Sequence, residues 1–268
     1  MARTLITNGT IVTAEGSYRA DVLVDGETIA QIGAGLAGAG VTADRTIDAT
    51  GKWVIPGGID VHTHMKLPFG GTFAKDDFYT GTRAAAFGGT TTIVDFAVQS
   101  KGKTLREGLD AWHAMAEGQA VVDYGFHMIM SDVTDDSLRE MDQLVAEGVP
   151  DFKLFTAYPG VFFSDDGAIF RAMQQTGRNG GMIMMHAENG LAIDVIAADY
   201  VAAGTTDPIG HGLARYSVLE GEATNRVIRL AEAAKVPVYI VHLSAKEALN
   251  AVRQARDEGL PAVAETCP

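Results

Sequence analysis

Two hydrophobic patterns divide the chain. Over the first fifty residues, short β-branched runs such as Thr4-Leu5-Ile6-Thr7 and Val22-Leu23-Val24 alternate with polar turns. Asn8-Gly9 and Asp25-Gly26 separate these runs, and both dipeptides suit tight hairpin turns because they tolerate positive φ. The pattern predicts a small antiparallel β unit, the N-terminal part of a β-sandwich, over residues 1–53. Composition shifts at Gly51-Lys52-Trp53-Val54-Ile55-Pro56-Gly57-Gly58. From there apolar runs of strand length alternate with stretches of helical period. The runs at 54–64, 90–97, 124–130, 152–157, 181–187, 236–243 and 261–267 read as strands.

The helices between them carry start and stop signals. Leu105, Leu109, Trp112 and Met115 recur near helical spacing behind Thr104-x-x-Glu107, a capping box. Leu138, Met141 and Val145 repeat the pattern behind Ser137-x-x-Glu140, and Gly148 ends it. Ser244-x-x-Glu247 opens another helix directly after a strand. Strand–helix alternation with apolar strands implies a parallel sheet covered by helices. Seven such strands predict, over residues 54–268, an α/β fold of the (β/α) TIM-barrel type lacking its last unit. An open doubly wound sheet is the alternative that periodicity leaves standing. Gly33-Ala-Gly35-Leu-Ala-Gly38 matches a dinucleotide-binding glycine pattern, but it lies in the β unit without the helix such a loop needs, and reads as a turn.

Composition narrows the function classes. The chain has 268 residues with a net charge of −13, 47 % hydrophobic residues and one cysteine. The acidic balance disfavours nucleic acid or an anionic membrane as a partner. A lone Cys267 forms no internal disulfide. No secretory signal and no apolar run of spanning length is present, so a soluble cytoplasmic protein is expected.

The chemistry-bearing residues stand at strand ends. His62-Thr63-His64 closes the first barrel strand, and residues two apart on a strand point the same way, so both imidazoles share a face. His186 and His242 each end another apolar strand, where packing alone favours Val or Ile. Barrel active sites are built at that rim, and converging imidazoles there suit Zn²⁺ or a similar metal. Four separately satisfied polar residues are the bland reading. Lys153 lies inside an apolar strand, pointing the same way as Phe155. A buried ammonium is costly, and its pKa falls with desolvation. A neutral lysine can add CO₂ to become a carbamate whose two oxygens can bridge two metals. Snorkelling to the rim or pairing with a carboxylate are the alternatives.

These residues fall in recognisable motifs. Pro56-Gly-Gly-Ile-Asp-Val-His62-Thr-His64, Phe87-Gly-Gly-Thr-Thr-Thr-Ile-Val-Asp95-Phe, Lys153-Leu-Phe-Thr-Ala-Tyr158, His186-Ala-Glu-Asn, Glu220-Gly-Glu-Ala-Thr, Val241-His242-Leu-Ser and Glu265-Thr-Cys-Pro268 occur in order along the chain. Together they resemble the hydantoinase/dihydropyrimidinase branch of the amidohydrolase superfamily. The resemblance implies hydrolytic opening of a cyclic amide or imide, a hydantoin or dihydropyrimidine. It implies two Zn²⁺ or similar ions: one on His62 and His64, one on His186 and His242, with carboxylated Lys153 as bridge. It makes Tyr158 the phenol that hydrogen-bonds the forming oxyanion, and places Met65, Leu67, Phe69 and Phe155 along the substrate pocket. His113, His127 and His211 are left structural. A homo-oligomer, dimer or tetramer, is expected.

One feature departs from the resemblance. Family members continue through an eighth strand bearing an aspartate that ligates a metal and shuttles the proton, and through a C-terminal segment that completes the small β domain. Without that aspartate the 268-residue chain is expected to be weak or inactive. An unpaired barrel edge is expected too. Dihydroorotase and allantoinase share the metal scheme, an acid-bearing substrate calling for Arg or Asn in the pocket. A metal-free structural relative and a non-catalytic small-molecule binder are the remaining readings.

Overall fold

The computed structural model describes residues 2–267 and divides into two units, Met1–Gly58 and Ile59–Pro268. The division falls five residues later than the sequence suggests. Trp53–Val54 pairs in parallel with Thr10–Thr13, so this run belongs to the first unit. The first unit is not wholly antiparallel either: Arg3–Thr7 pairs antiparallel with Asp21–Asp25 but parallel with Arg45–Asp48. Hairpin signals report only neighbours in sequence, and these parallel partners arrive through long connections. The glycine-rich stretch at 33–38 forms a turn, pinned where the Leu36 amide donates to Asp21 at 2.8 Å.

Apart from a short hairpin of Pro68–Phe69 with Thr72–Phe73, the second unit holds seven strands that correspond to the seven expected runs. They are β1 (Gly58–Thr63), β2 (Thr90–Val98), β3 (Asp123–Ile129), β4 (Asp151–Phe155), β5 (Met182–His186), β6 (Val238–Ile240) and β7 (Ala262–Ala264). They form one sheet in sequential order, and β2 through β7 pair in parallel. Beginning on β1, the helices are α1 (Phe78–Gly88), α2 (Leu105–Ala116), α3 (Asp135–Ala146), α4 (Asp166–Asn179), α5 (Gly190–Ala202), α6 (Ile209–Leu213), α7 (Ser217–Ala234) and α8 (Lys246–Asp257). The sheet is curled. The Glu265 carboxylate, just past β7, accepts from His62 on β1, although those strands are its opposite edges. The edges themselves do not pair, and Ile59 is 65 % exposed. This is the seven-stranded, incomplete barrel that strand counting predicts.

Helix starts follow the sequence in part. Thr104 and Glu107 form their expected reciprocal cap. The next helix begins three residues early, capped by Thr134 with Ser137 at the third position. Glu140 is thereby freed to accept from the Leu105 amide on α2 at 2.6 Å. Ser244 does not cap α8 either. The Glu220 carboxylate on α7 reaches across to the Ser244 and Ala245 amides at 2.7 and 3.0 Å. The helix pair is close enough for that because Gly221 has no Cβ, which would stand 2.5 Å from that of Glu247. Inside the sheet, Ile93, Phe96, Met128, Phe152 and Ile183 are fully buried. Among the described residues no helix is long and apolar enough to cross a membrane.

Candidate metal centre

Five side chains from four strands meet at the carboxyl rim. On β1 and just beyond it, His62 Nε2 and His64 Nε2 stand 3.2 Å apart. On β5 and just beyond β6, His186 Nδ1 and His242 Nε2 stand 2.9 Å apart. The rings of His62 and His242 lie 5.3 Å centre to centre, joining the two pairs. From β4, Lys153 Nζ comes within 3.1 Å of His62 Nε2. The five predicted ligands therefore converge.

The remaining predicted residues divide. Leu67, Phe69, Phe155 and Tyr158 line a cavity of about 390 Å³ whose wall also includes His64, Lys153, His186 and His242. Met65 does not line it. Its side chain is buried against α1, in the space a Gly81 Cβ would need. The chain bends after His64, so strand alternation no longer carries Met65 toward the cavity. His113 lies in α2 and His127 in β3, as expected. His211 lies in the short helix α6 rather than a loop, 3.1 Å from Arg215, whose side chain also lines the cavity.

Burial sets the protonation states. It holds the imidazoles of His64 and His242 down to about 3 and about 2, and lowers those of His62 and His186 too. All four are neutral at neutral pH, each with one lone pair free for a metal. Facing lone pairs repel unless one nitrogen keeps its proton or a cation lies between them. Two nitrogens about 2.0–2.1 Å from a tetrahedral ion are about 3.3 Å apart, close to both spacings here. Hydrogen bonds on the far side favour the tautomers a metal needs. His62 donates Nδ1–H to Glu265, and His186 donates Nε2–H to Glu188 at 2.8 Å, leaving Nε2 of the first and Nδ1 of the second bare.

Lys153 is 1 % exposed, and burial brings its amine down to about 7. Its nitrogen sits 4.2 Å from the centre of the Phe96 ring. Half of such amines are neutral near pH 7, the form that adds CO₂. Among the described residues no three His, Cys, Asp or Glu side chains are placed to hold one metal ion by themselves. Each histidine pair is thus short of a closed site by the kind of ligand a lysine carbamate supplies. The residues present fit a pair of metal ions on this basis.

Tyr158 reaches the cavity from the loop after β4, with φ of 61°, a costly conformation for a bulky residue. Its ring lies 5.0 Å from that of His186. Burial, then the nearby Glu188 charge, raises its pKa, so the phenol keeps its proton and can donate. Sequence reading gave no role to Glu188, Glu265 or Arg215. Glu188 had a signal, standing two residues after His186. Glu265 also had one, since it opens the last family motif, while Arg215 had none, because Glu188, the carboxylate it pairs with, lies on another segment.

Comparisons with known proteins agree with this fold. Residues 53–267 match the amidohydrolase family. The chain is 61 % identical to a D-hydantoinase of Streptomyces coelicolor over its whole length, covering 58 % of that protein. It is 49 % identical to a D-hydantoinase of Geobacillus stearothermophilus, spanning 98 % of this chain and 56 % of the relative. The crystal structure of a dihydropyrimidinase from Brevibacillus agri superposes with a TM-score of 0.96 at 45 % identity, covering 99 % of this chain and 57 % of that one. The chain spans a little over half the length of the relatives it matches.

Proposed function

The chain belongs to the amidohydrolase family, and from that premise we propose that the whole protein opens the ring of a cyclic amide, a hydantoin or a dihydropyrimidine. The observation that carries this reading is the meeting of four neutral imidazoles and one buried lysine beside an apolar cavity. His62 and His64 would hold one divalent ion, zinc or a similar metal, and His186 and His242 another, with Lys153 as its carbamate between them. Bound there, such ions polarise a carbonyl and make water nucleophilic at neutral pH.

The protein's own residues do the rest. Leu67, Phe69, Phe155 and Phe162 give a flat ring an apolar slot and exclude bulk water. Tyr158 donates its hydroxyl proton in a hydrogen bond to the carbonyl oxygen, where negative charge grows as the tetrahedral centre forms. Arg215 is engaged, 3.4 Å from Glu188 and 3.1 Å from the His211 carbonyl. A substrate carboxylate would have to displace that pairing, which favours a neutral ring over dihydroorotate. Proton transfer falls to a carboxylate not found free on this wall. Glu188 is bonded to His186, and Glu220 to the two amides before α8. The family resemblance assigns the task to an aspartate further along.

The test is a substrate panel with zinc and bicarbonate, on this chain and on a longer form carrying the further family segment. Hydantoin or dihydrouracil hydrolysis gained by the longer form supports the reading. Turnover of dihydroorotate or allantoin alone, or no gain, removes it. We also propose a homo-oligomer. Helix α5 carries apolar residues on its exposed side among the two aspartates Asp194 and Asp199, and Leu191, Val195 and Val201 are each more than half exposed. A monomer in sedimentation would refute that.

A further inference from the structure

Asp95 takes no part in the chemistry above, and its carboxylate does not line the cavity. It is nonetheless wholly buried on β2, where an aliphatic side chain would avoid the desolvation of a charge. Its two oxygens collect three donors from two segments, the end of β1 and α2. Oδ2 accepts from Thr63 Oγ1 and from the Met65 amide, both at 2.8 Å, and Oδ1 accepts from the Trp112 indole N–H at 3.0 Å. Even with these donors, burial pushes its pKa up to about 6.

The geometry points to Asp95 as the positioning residue that aims His62 and His64 at one point. The inference rests on reading those histidines as a metal-binding pair. Thr63 lies between them, and strand alternation turns its side chain the opposite way. Tying the Thr63 hydroxyl and the Met65 amide to one buried oxygen fixes the backbone on both sides of His64. The two imidazoles then project together. His64 needs this more than His62 does. His62 is oriented by Glu265, whereas the Nδ1 of His64 is buried without any partner. The Phe96 ring packs 5.0 Å from that of His64, but no hydrogen bond holds the ring from behind, so the backbone must set its aim. Trp112, on α2, ties the same carboxylate to the helix layer.

The chemistry of the donors makes the test specific. The Met65 amide and the Trp112 indole can only donate. Asn at position 95 has one accepting oxygen, so its NH₂ must face one of them. Zinc affinity is measured by chelator competition, in bicarbonate, on the full-length protein, with melting of the metal-free forms alongside. Asp95→Asn should weaken one of two bound zinc ions roughly 10–100-fold and leave the other as in wild type. Adding Trp112→Phe removes the opposing indole donor, and the double variant should recover at least part of that loss. Thr63→Val, which keeps the carboxylate and the strand, should weaken the same ion several-fold, and it remains informative if Asp95→Asn does not fold. A merely structural Asp95 would lower the melting temperature and affect both ions alike, which would overturn the inference. So would unchanged zinc binding in Asp95→Asn and Thr63→Val. Wild-type protein that binds no zinc overturns the metal reading itself, a failure visible before any substitution is made.

Discussion

The two histidine pairs reach similar spacings, 3.2 and 2.9 Å, by different routes. His62 and His64 are two residues apart on one strand, so the period of a β-strand already turns them the same way. His186 and His242 are 56 residues apart and meet through neighbouring strands, β5 and β6, held in parallel register from Ile183 with Val238 to Met185 with Ile240. The first pair is local, and its aim depends on the end of one strand staying in place. The second is a property of the sheet, and disturbing it means shifting a helix-backed strand. Both have one member backed by a carboxylate, Glu265 behind His62 and Glu188 behind His186. Lys153 reaches His62 from β4, the neighbour of β5, and as the proposed bridge it would serve both pairs.

The largest effect is expected where the pairs share a residue. Lys153→Met should abolish hydrolysis by the full-length enzyme, a loss of about 10³-fold or more, since neither ion keeps its bridge. The same change should raise the melting temperature of the metal-free protein, because it replaces a buried amine that no carboxylate neutralises with an apolar side chain. Loss of activity together with loss of stability would break the comparison, by making Lys153 a structural residue.

Tyr158→Phe should lower kcat by about 10²-fold, or about 3 kcal/mol, with little change in KM. That split, read from steady-state kinetics, follows if the phenol acts on charge that develops only in the transition state. Glu265→Gln and Glu188→Gln should each weaken one zinc ion about 10-fold or more while sparing the other. Zinc titrations in which both variants weaken the same ion would show that the pairs are not separate sites.

The smallest effect is in the pH dependence of folding. Burial depresses His64 and His242, so between about pH 6.5 and 3 the unfolded chain binds protons that the folded chain does not. Their contribution to stability is complete above about 6.5 and is lost as pH falls toward 3. Denaturant unfolding of the metal-free protein from pH 6.5 to 4.5 should therefore show falling stability, and His242→Gln should flatten that slope. An unchanged slope would mean that His242 is solvated.

Much of the scaffold was legible because it is written locally. Seven apolar runs gave seven strands, and Thr104 with Glu107 gave the cap of α2. The misreadings have both near and distant causes. Ser137 does not cap its helix because Thr134 starts it three residues earlier, and Ser244 does not cap α8, where Glu220 crosses from α7 to the two amides before the helix. Met65 left the pocket because the chain bends into α1, and Trp53-Val54 joined the first unit because Thr10-Ile11 was there to pair with it.

By itself the sequence determined which residues could do chemistry: polar side chains at the ends of apolar strands, where simple packing does not explain them. It also limited the second unit to a helix-covered parallel sheet, in barrel or doubly wound order, and the structure chose the sequential order of a barrel. Only the tertiary structure decided which nitrogens are free on His62 and His186, because that depends on the carboxylates behind the rings, Glu265 and Glu188, and it left the His64 Nδ1 without a hydrogen-bond partner. It alone brought Asp95 beneath Thr63, since hydrogen bonds across a sheet depend on register and curl, and neither is carried by a single strand's own residues.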